Sequence, residues 1–145
     1  MNSKIYRKKG VWYFDDYFHY ITSIIELIPK NIVNFIANPQ FYCFGSESLY
    51  DAMVDKFELT YNKKAHLPVL SIKFVGAYKY NYIFKFGDIK SIVFPKDTEG
   101  LFEHELLIHQ FHIRQNGIFQ YEFIFSNNAK IKILFTKITI NIETK

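Results

Sequence analysis

The sequence predicts an α+β domain, with N-terminal helices packed on a curved, mainly antiparallel β-sheet that closes into a half-barrel or sandwich-like shape. Three observations carry this expectation. The stretch from residue 101 to 145 reads as consecutive strands joined by tight turns at Asn116-Gly117 and Asn127-Asn128. Alternate residues of its middle strand are aromatic (Phe119, Tyr121, Phe123 and Phe125), and alternate residues of a strand share one face. Before residue 40 the apolar spacing is instead the three-to-four step of a helix.

Taken in order, Asp15 or Asp16 is expected to cap a helix whose stripe is Tyr17, Ile21, Ile24, Ile25 and Ile28, ended by Pro29. A second helical stretch spans 30–37, with Ile32, Val33, Phe35 and Ile36 apolar. Asn38-Pro39 stops it, because the residue before proline is pushed out of helical geometry. Residues 41–44 read as a short strand or extended lead-in, and 45–51 as turns. From Met53 the period becomes two, with Phe57, Leu59 and Tyr61 set against Lys56, Glu58 and Thr60. After a loop at 62–68, Leu70, Ile72 and Phe74 line one side of a strand over 69–75. Tyr78, Tyr80, Tyr82, Phe84 and Phe86 line the next, over 78–86. Gly87-Asp88 turns the chain into a strand at 89–94, followed by a loop at 95–100.

Residues 101–115 admit two readings. Leu107, Ile108, Phe111 and Gln115 would suit a helix capped by Gly117, whereas Leu107, His109, Phe111 and Ile113 would share a strand face. The strand is favoured because it makes a hairpin with the aromatic run. Register follows from matching apolar faces. A two-residue Asn116-Gly117 loop would set Phe111 against Glu122, so a bulged loop of Gln115 to Gly117 is predicted, pairing Phe111 with Tyr121 and Ile113 with Phe119. The same logic at the next turn gives a loop of Ser126, Asn127 and left-handed Asn128, pairing Phe123 with Ile131 and Tyr121 with Ile133. The last strand runs Ile131, Ile133, Phe135 and then Ile138, Ile140, Ile142. A β-bulge near Thr136-Lys137 is expected to absorb that change of parity. The sheet should hold about six or seven strands.

With 145 residues and no linker or repeat, the chain is expected to form a single domain, 1–145. Hydrophobic residues make up 49% and aromatic residues 19%, which excludes intrinsic disorder. The single cysteine, Cys43, cannot form an internal disulfide. No apolar run reaches the ~18 residues a membrane helix requires. A soluble, cytoplasmic protein is expected. The formal charge of +4 would draw acidic partners, yet 16 of the 18 cations are lysine. Only Arg7 and Arg114 are arginine, the usual reader of phosphates and bases. Nucleic acid is therefore disfavoured.

The search for chemistry is short. His104, His109 and His112 lie close in sequence, but on a strand His109 and His112 point to opposite faces, where they cannot share an ion; His109 is expected to be a partly buried sheet residue and His112 solvated. Cys43, between Tyr42 and Phe44, reads as core filler with no cation to activate it. Ser46 and Ser48 match no nucleophile elbow, and the turn around them lacks a phosphate loop's ending. Glu103, His104 and Glu105 are the residues a small enzyme would use, although a solvated charged loop is the plainer reading. Tyr78, Tyr80 and Tyr82 beside Lys79 and Lys85 would suit a single-strand nucleic-acid platform. Their regular alternation is equally that of a half-buried strand, which puts the lysines on the opposite face. No catalytic residue, metal or cofactor is assigned.

The segment Phe44-Gly45-Ser46-Glu47-Ser48-Leu49-Tyr50-Asp51-Ala52 resembles the Ser-Leu-His-Asp-Ala motif of small bacterial proteins. Some of those are immunity proteins of contact-dependent growth inhibition and related polymorphic toxin systems. Tyr50 stands where the motif has His. The order of helices, then a meander ending in the hairpin of Tyr121, Glu122, Ser126 and Asn127, is similar too. The resemblance implies a non-catalytic inhibitor that binds a cognate toxin domain. Immunity proteins against nucleases are often acidic, whereas this chain is net basic. A local acidic patch of Asp97, Glu99, Glu103 and Glu105, with Glu47 and Asp51, is the expected contact surface.

Overall fold

Two rows of buried rings, one from each of two sheets, meet to form the core. A computed structural model describes residues 4–42, 45–64, 66–96, 99–115 and 117–145, with only the backbone at Asn62 and Glu99. The chain begins with a ribbon of β1 (Tyr6–Lys8) and β2 (Val11–Tyr13). Helices α1 (Asp15–Ser23) and α2 (Val33–Ile36) follow, with 3-10 turns at Ile25–Leu27 and Pro39–Phe41. Then come β3 (Met53–Asn62), β4 (Leu67–Val75), β5 (Tyr80–Gly87), β6 (Ser91–Val93), β7 (Leu106–Gln115), β8 (Ile118–Phe125), β9 (Lys130–Phe135) and β10 (Lys137–Thr144). One four-stranded antiparallel sheet has the order β10-β5-β4-β3 and the other β6-β9-β8-β7, while the ribbon strands pair only with each other. The strands outnumber the six or seven expected, since the ribbon was not anticipated and the last predicted strand is two.

The alternation read from sequence sets the core. Leu70, Ile72 and Phe74 of β4 and Tyr82, Phe84 and Phe86 of β5 are fully buried. Facing them are Tyr121, Phe123, Phe125, Ile131, Ile133 and Phe135. Phe74 and Phe123 lie 5.1 Å apart between ring centroids, Phe84 and Tyr121 5.3 Å, and Phe86 and Phe135 5.0 Å. Tilted and edge-on pairs of this kind each add about 1 kcal/mol beyond the burial itself.

Residues 106–115 form a strand, and the hairpin register is the predicted one: Phe111 opposes Tyr121, Ile113 opposes Phe119, Phe123 opposes Ile131 and Tyr121 opposes Ile133. Gly117 (φ 72°) and Asn128 (φ 68°) are left-handed as predicted, but Gln115 belongs to the strand and opposes Ile118, so the slip of register lies between Ile113 and Gln115 rather than in a loop of Gln115 to Gly117. Asn116 lies outside the described residues. The strand starts later than expected, because Glu99–Phe102 is a 3-10 turn.

The change of parity after Phe135 is not a bulge. The chain leaves one sheet at Thr136 and enters the other, where Ile138 opposes Phe86 and Ile140 opposes Phe84. A strand that crosses to the facing sheet approaches the same core from the other side, so its inward residues change parity. The hydroxyl of Thr136 donates to Asp88 Oδ2 at 2.5 Å at this crossing.

Smaller departures have local causes. Asp15 and Asp16 open α1 rather than cap it; Phe14 holds the cap position, with no side-chain bond. The second helix keeps only Val33–Ile36, while Ile32, Phe35 and Ile36 are buried as its spacing implied. Asn38 does stop it, its side chain accepting from the Gln40 N–H at 3.0 Å. On edge strand β3, Phe57 meets Phe94 at 5.0 Å, but Leu59 and Tyr61 run past the core and are each 57% exposed.

The outer edge of β7 is covered by polar groups from residues 17–52. Asp51 N–H donates to Leu106 C=O, and Leu106 N–H to Ala52 C=O. Farther along, the hydroxyls of Tyr17 and Tyr20 accept the N–H groups of Phe111 and Ile113, each at 2.9 Å. Three residues advance about 4.5 Å along a helix and two advance about 7 Å along a strand, a difference long tyrosine side chains can span. An edge satisfied in this way offers no template to another chain.

Candidate functional site

The buried polar groups concentrate on the two faces of β7. On the inner face, His109 Nε2 lies 2.8 Å from the Phe41 carbonyl and Nδ1 lies 2.6 Å from the Tyr121 hydroxyl. A carbonyl only accepts, so Nε2 carries the proton and Tyr121 donates to Nδ1. Tyr42 donates to the Ile36 carbonyl at 2.8 Å and accepts from Tyr17 at 2.9 Å. Its ring stacks on His109 at 4.2 Å. Burial pushes His109 down to about 4 and the phenols of Tyr17, Tyr42 and Tyr121 up, so all four are neutral at pH 7. Each polar atom of this network has a partner within the fold, which gives it a cohesive chemistry.

On the outer face, Gln110 donates to Glu122 at 3.0 Å, His112 Nε2 lies 3.3 Å from Gln110 Oε1, and Arg114 donates to Gln120 at 3.1 Å. His112 is buried, not solvated as the strand alternation implied. The outer face is covered here as well: Tyr20 lies 5.5 Å from the imidazole, Lys4 sits over Tyr20, and Ile5 is buried. Burial, then the charges of Lys4, Arg114 and Lys132, push His112 to about 4. Its Nδ1 is buried without a hydrogen-bond partner among the described residues. As the strand reading required, the two histidines sit on opposite faces. Among the described residues no three His, Cys, Asp or Glu groups come together to hold a metal ion. Cys43 lies outside the described residues, as does Phe44 of the motif segment.

The predicted acidic surface is partly assembled. Asp51 has left-handed backbone (φ 67°) and lies near Glu105; its carboxyl is pushed up, by partial burial first and then by the Glu105 charge. Ser126 N–H donates to the Glu105 carbonyl, which fixes that turn, and Glu103 is exposed beside it. Glu47 lies apart, lining a small cleft with Gln40, Gly45 and Ser46, and its carbonyl accepts the Tyr82 hydroxyl. Asp97 and the side chain of Glu99 lie outside the described residues. His104 Nδ1 faces the Ser126 hydroxyl at 3.2 Å rather than Glu103 or Glu105. The tyrosine platform does not form: Tyr78 is exposed, but Tyr82 is wholly buried between the sheets.

Sequence reasoning missed a groove of about 470 Å³ between the ribbon and the body, lined by Arg7, Trp12, Phe14, Tyr42, Tyr50 and Leu107. Lys9 (φ 53°) and Gly10 (φ 78°) make a two-residue turn with both residues left-handed, so Arg7 opposes Trp12 and Tyr6 opposes Tyr13. The Arg7 guanidinium lies 5.6 Å from the Trp12 ring centroid, on the ribbon face opposite the Tyr6–Tyr13 stack. The available signal was Lys9-Gly10 flanked by short aromatic alternation, a hairpin pattern. Compared with protein-family models and with curated proteins, the sequence matches none.

Proposed function

We propose that this chain is a non-catalytic binding protein of the cytoplasm, an immunity protein that neutralises a cognate toxin domain by direct contact. The observation that carries the reading is how its ionisable groups are distributed. In the interior, His109, Tyr17, Tyr42 and Tyr121 are neutral and bonded within the fold, and His112 is neutral with Nδ1 unpartnered among the described residues. At the surface, Asp51 and Glu105 lie near each other at the start of β7, with Glu103 exposed close by in sequence, and Arg7 of the ribbon lines a groove together with Tyr50 and Leu107. Charged groups at an exposed surface suit recognition of a complementary one. In this reading α1 rests on the edge of β7, and the motif segment carrying Tyr50 and Asp51 lies at the contact surface. No helix of the described residues is long and apolar enough to cross a membrane.

The test is co-expression with a toxin domain encoded beside the gene. A 1:1 complex and protected cells are expected. Asp51→Asn with Glu105→Lys should weaken the complex by about tenfold or more, the range for charged interface contacts, without loss of fold. Absence of both complex and protection would end the proposal.

A further inference from the structure

We propose that the groove beneath the N-terminal ribbon binds an acidic peptide segment carrying one large apolar side chain. This deepens the binding reading and rests on it. The floor is apolar and aromatic, built from Trp12, Phe14, Tyr42 and Leu107, and its volume of about 470 Å³ would take one bulky side chain with flanking backbone. At the rim stands one cation, Arg7, while Lys8 alternates to the other face of the ribbon and Lys9 sits in its turn; residues 6–13 hold no acid. The ion pairs of the described residues lie elsewhere, at Lys56–Glu58, Lys73–Asp55 and Lys90–Asp88, which leaves the ribbon's cations without carboxylate partners among those residues. Arg7 over Trp12 puts a fixed positive charge at the edge of the apolar floor, where a carboxylate next to an inserted side chain would meet it.

The ribbon itself has little support. Its strands pair only with each other, Trp12 is its residue packed against the core, and Tyr6 and Tyr13 are exposed on its outer face. A lone two-stranded ribbon is marginal in water, so a segment seated beneath it would stabilise it. Protein fits this site better than nucleic acid. The ribbon has one arginine, and Tyr6 and Tyr13 stack on each other at 5.3 Å, which closes their inner faces to a base.

Trp12 is the only tryptophan and lines the groove, so its emission reports occupancy directly. The full chain is titrated with the blocked peptide Asp-Glu-Phe-Leu-Asp-Glu, with Lys-Lys-Phe-Leu-Lys-Lys, with Asp-Glu-Ser-Gly-Asp-Glu and with oligothymidine. A saturable change with the first peptide alone is expected, weakened about tenfold or more by Arg7→Glu, an exposed substitution whose fold is checked by circular dichroism. Equal response to the lysine or serine peptide, a stronger response to oligothymidine, or no saturable response would each overturn the proposal. No toxin enters this titration, so its failure is distinct from failed protection in the co-expression test.

Discussion

Lowering the pH from 7.5 to 5 should destabilise the fold by about 4 kcal/mol, because His109 and His112 are held neutral inside it. Each imidazole is pushed from 6.5 to about 4, with burial as the largest cause. The unfolded chain takes up these protons near pH 6.5 and the folded chain only near pH 4, so stability is complete above 6.5, falls between, and levels off below 4. For one histidine the difference at pH 5 is about 2 kcal/mol, rising to about 3 at pH 4. Asp51, whose carboxyl is raised, acts in the opposite direction and softens the fall. Since domains of this size are stable by roughly 5–15 kcal/mol, the loss should be large in urea. The assay is urea unfolding followed by circular dichroism at pH 7.5, 6, 5 and 4. His112→Gln, which cannot titrate, should lose only about half as much over the same range. A stability that stays level from pH 7.5 to 5, or a variant that falls as steeply as the parent, would refute the reasoning.

Four further outcomes follow from the geometry. A Cβ at Gly76 would lie 2.2 Å from the Tyr80 carbonyl oxygen, so Gly76→Ala should lower stability by about 2–4 kcal/mol, read as a shifted urea midpoint. Tyr121→Phe leaves the buried His109 Nδ1 without its donor and should lose about 1–3 kcal/mol by the same assay. Gly117→Ala forces a side chain into left-handed backbone at φ 72° and should lose about 1–2 kcal/mol, whereas Asn128→Gly should be neutral or slightly stabilising.

The strands were legible where one face is buried and the other solvated, because the core imposes a period of two on the side chains. That condition holds for Leu70, Ile72 and Phe74 and for Phe84 and Phe86, whereas the register of the hairpin at Gly117 follows from matching its apolar faces. It fails on β7, where both faces are covered: His109 and His112 are both buried, though alternation assigns one of them to water. It fails again at Thr136, where a single change of parity fits either a bulge or a crossing, and only the partner strand decides. The candidate sites were less legible. Asp51 and Glu105 were named, and the fold brings them together. The groove depends on Leu107, Tyr42 and Trp12 converging from distant parts of the chain, and no local pattern records that convergence.

The crossing at Thr136 also has a consequence for how the molecule is made. Strand β5 finds its outer neighbour only in residues 137–144, about 50–64 residues later, so the first sheet stays incomplete until that segment has been made. Such distant pairing favours slow folding, on a scale of milliseconds to seconds. A nascent or clipped chain lacking residues 137–144 would leave the edge of β5 unpaired beside Phe84 and Phe86, and self-association would be the expected fate.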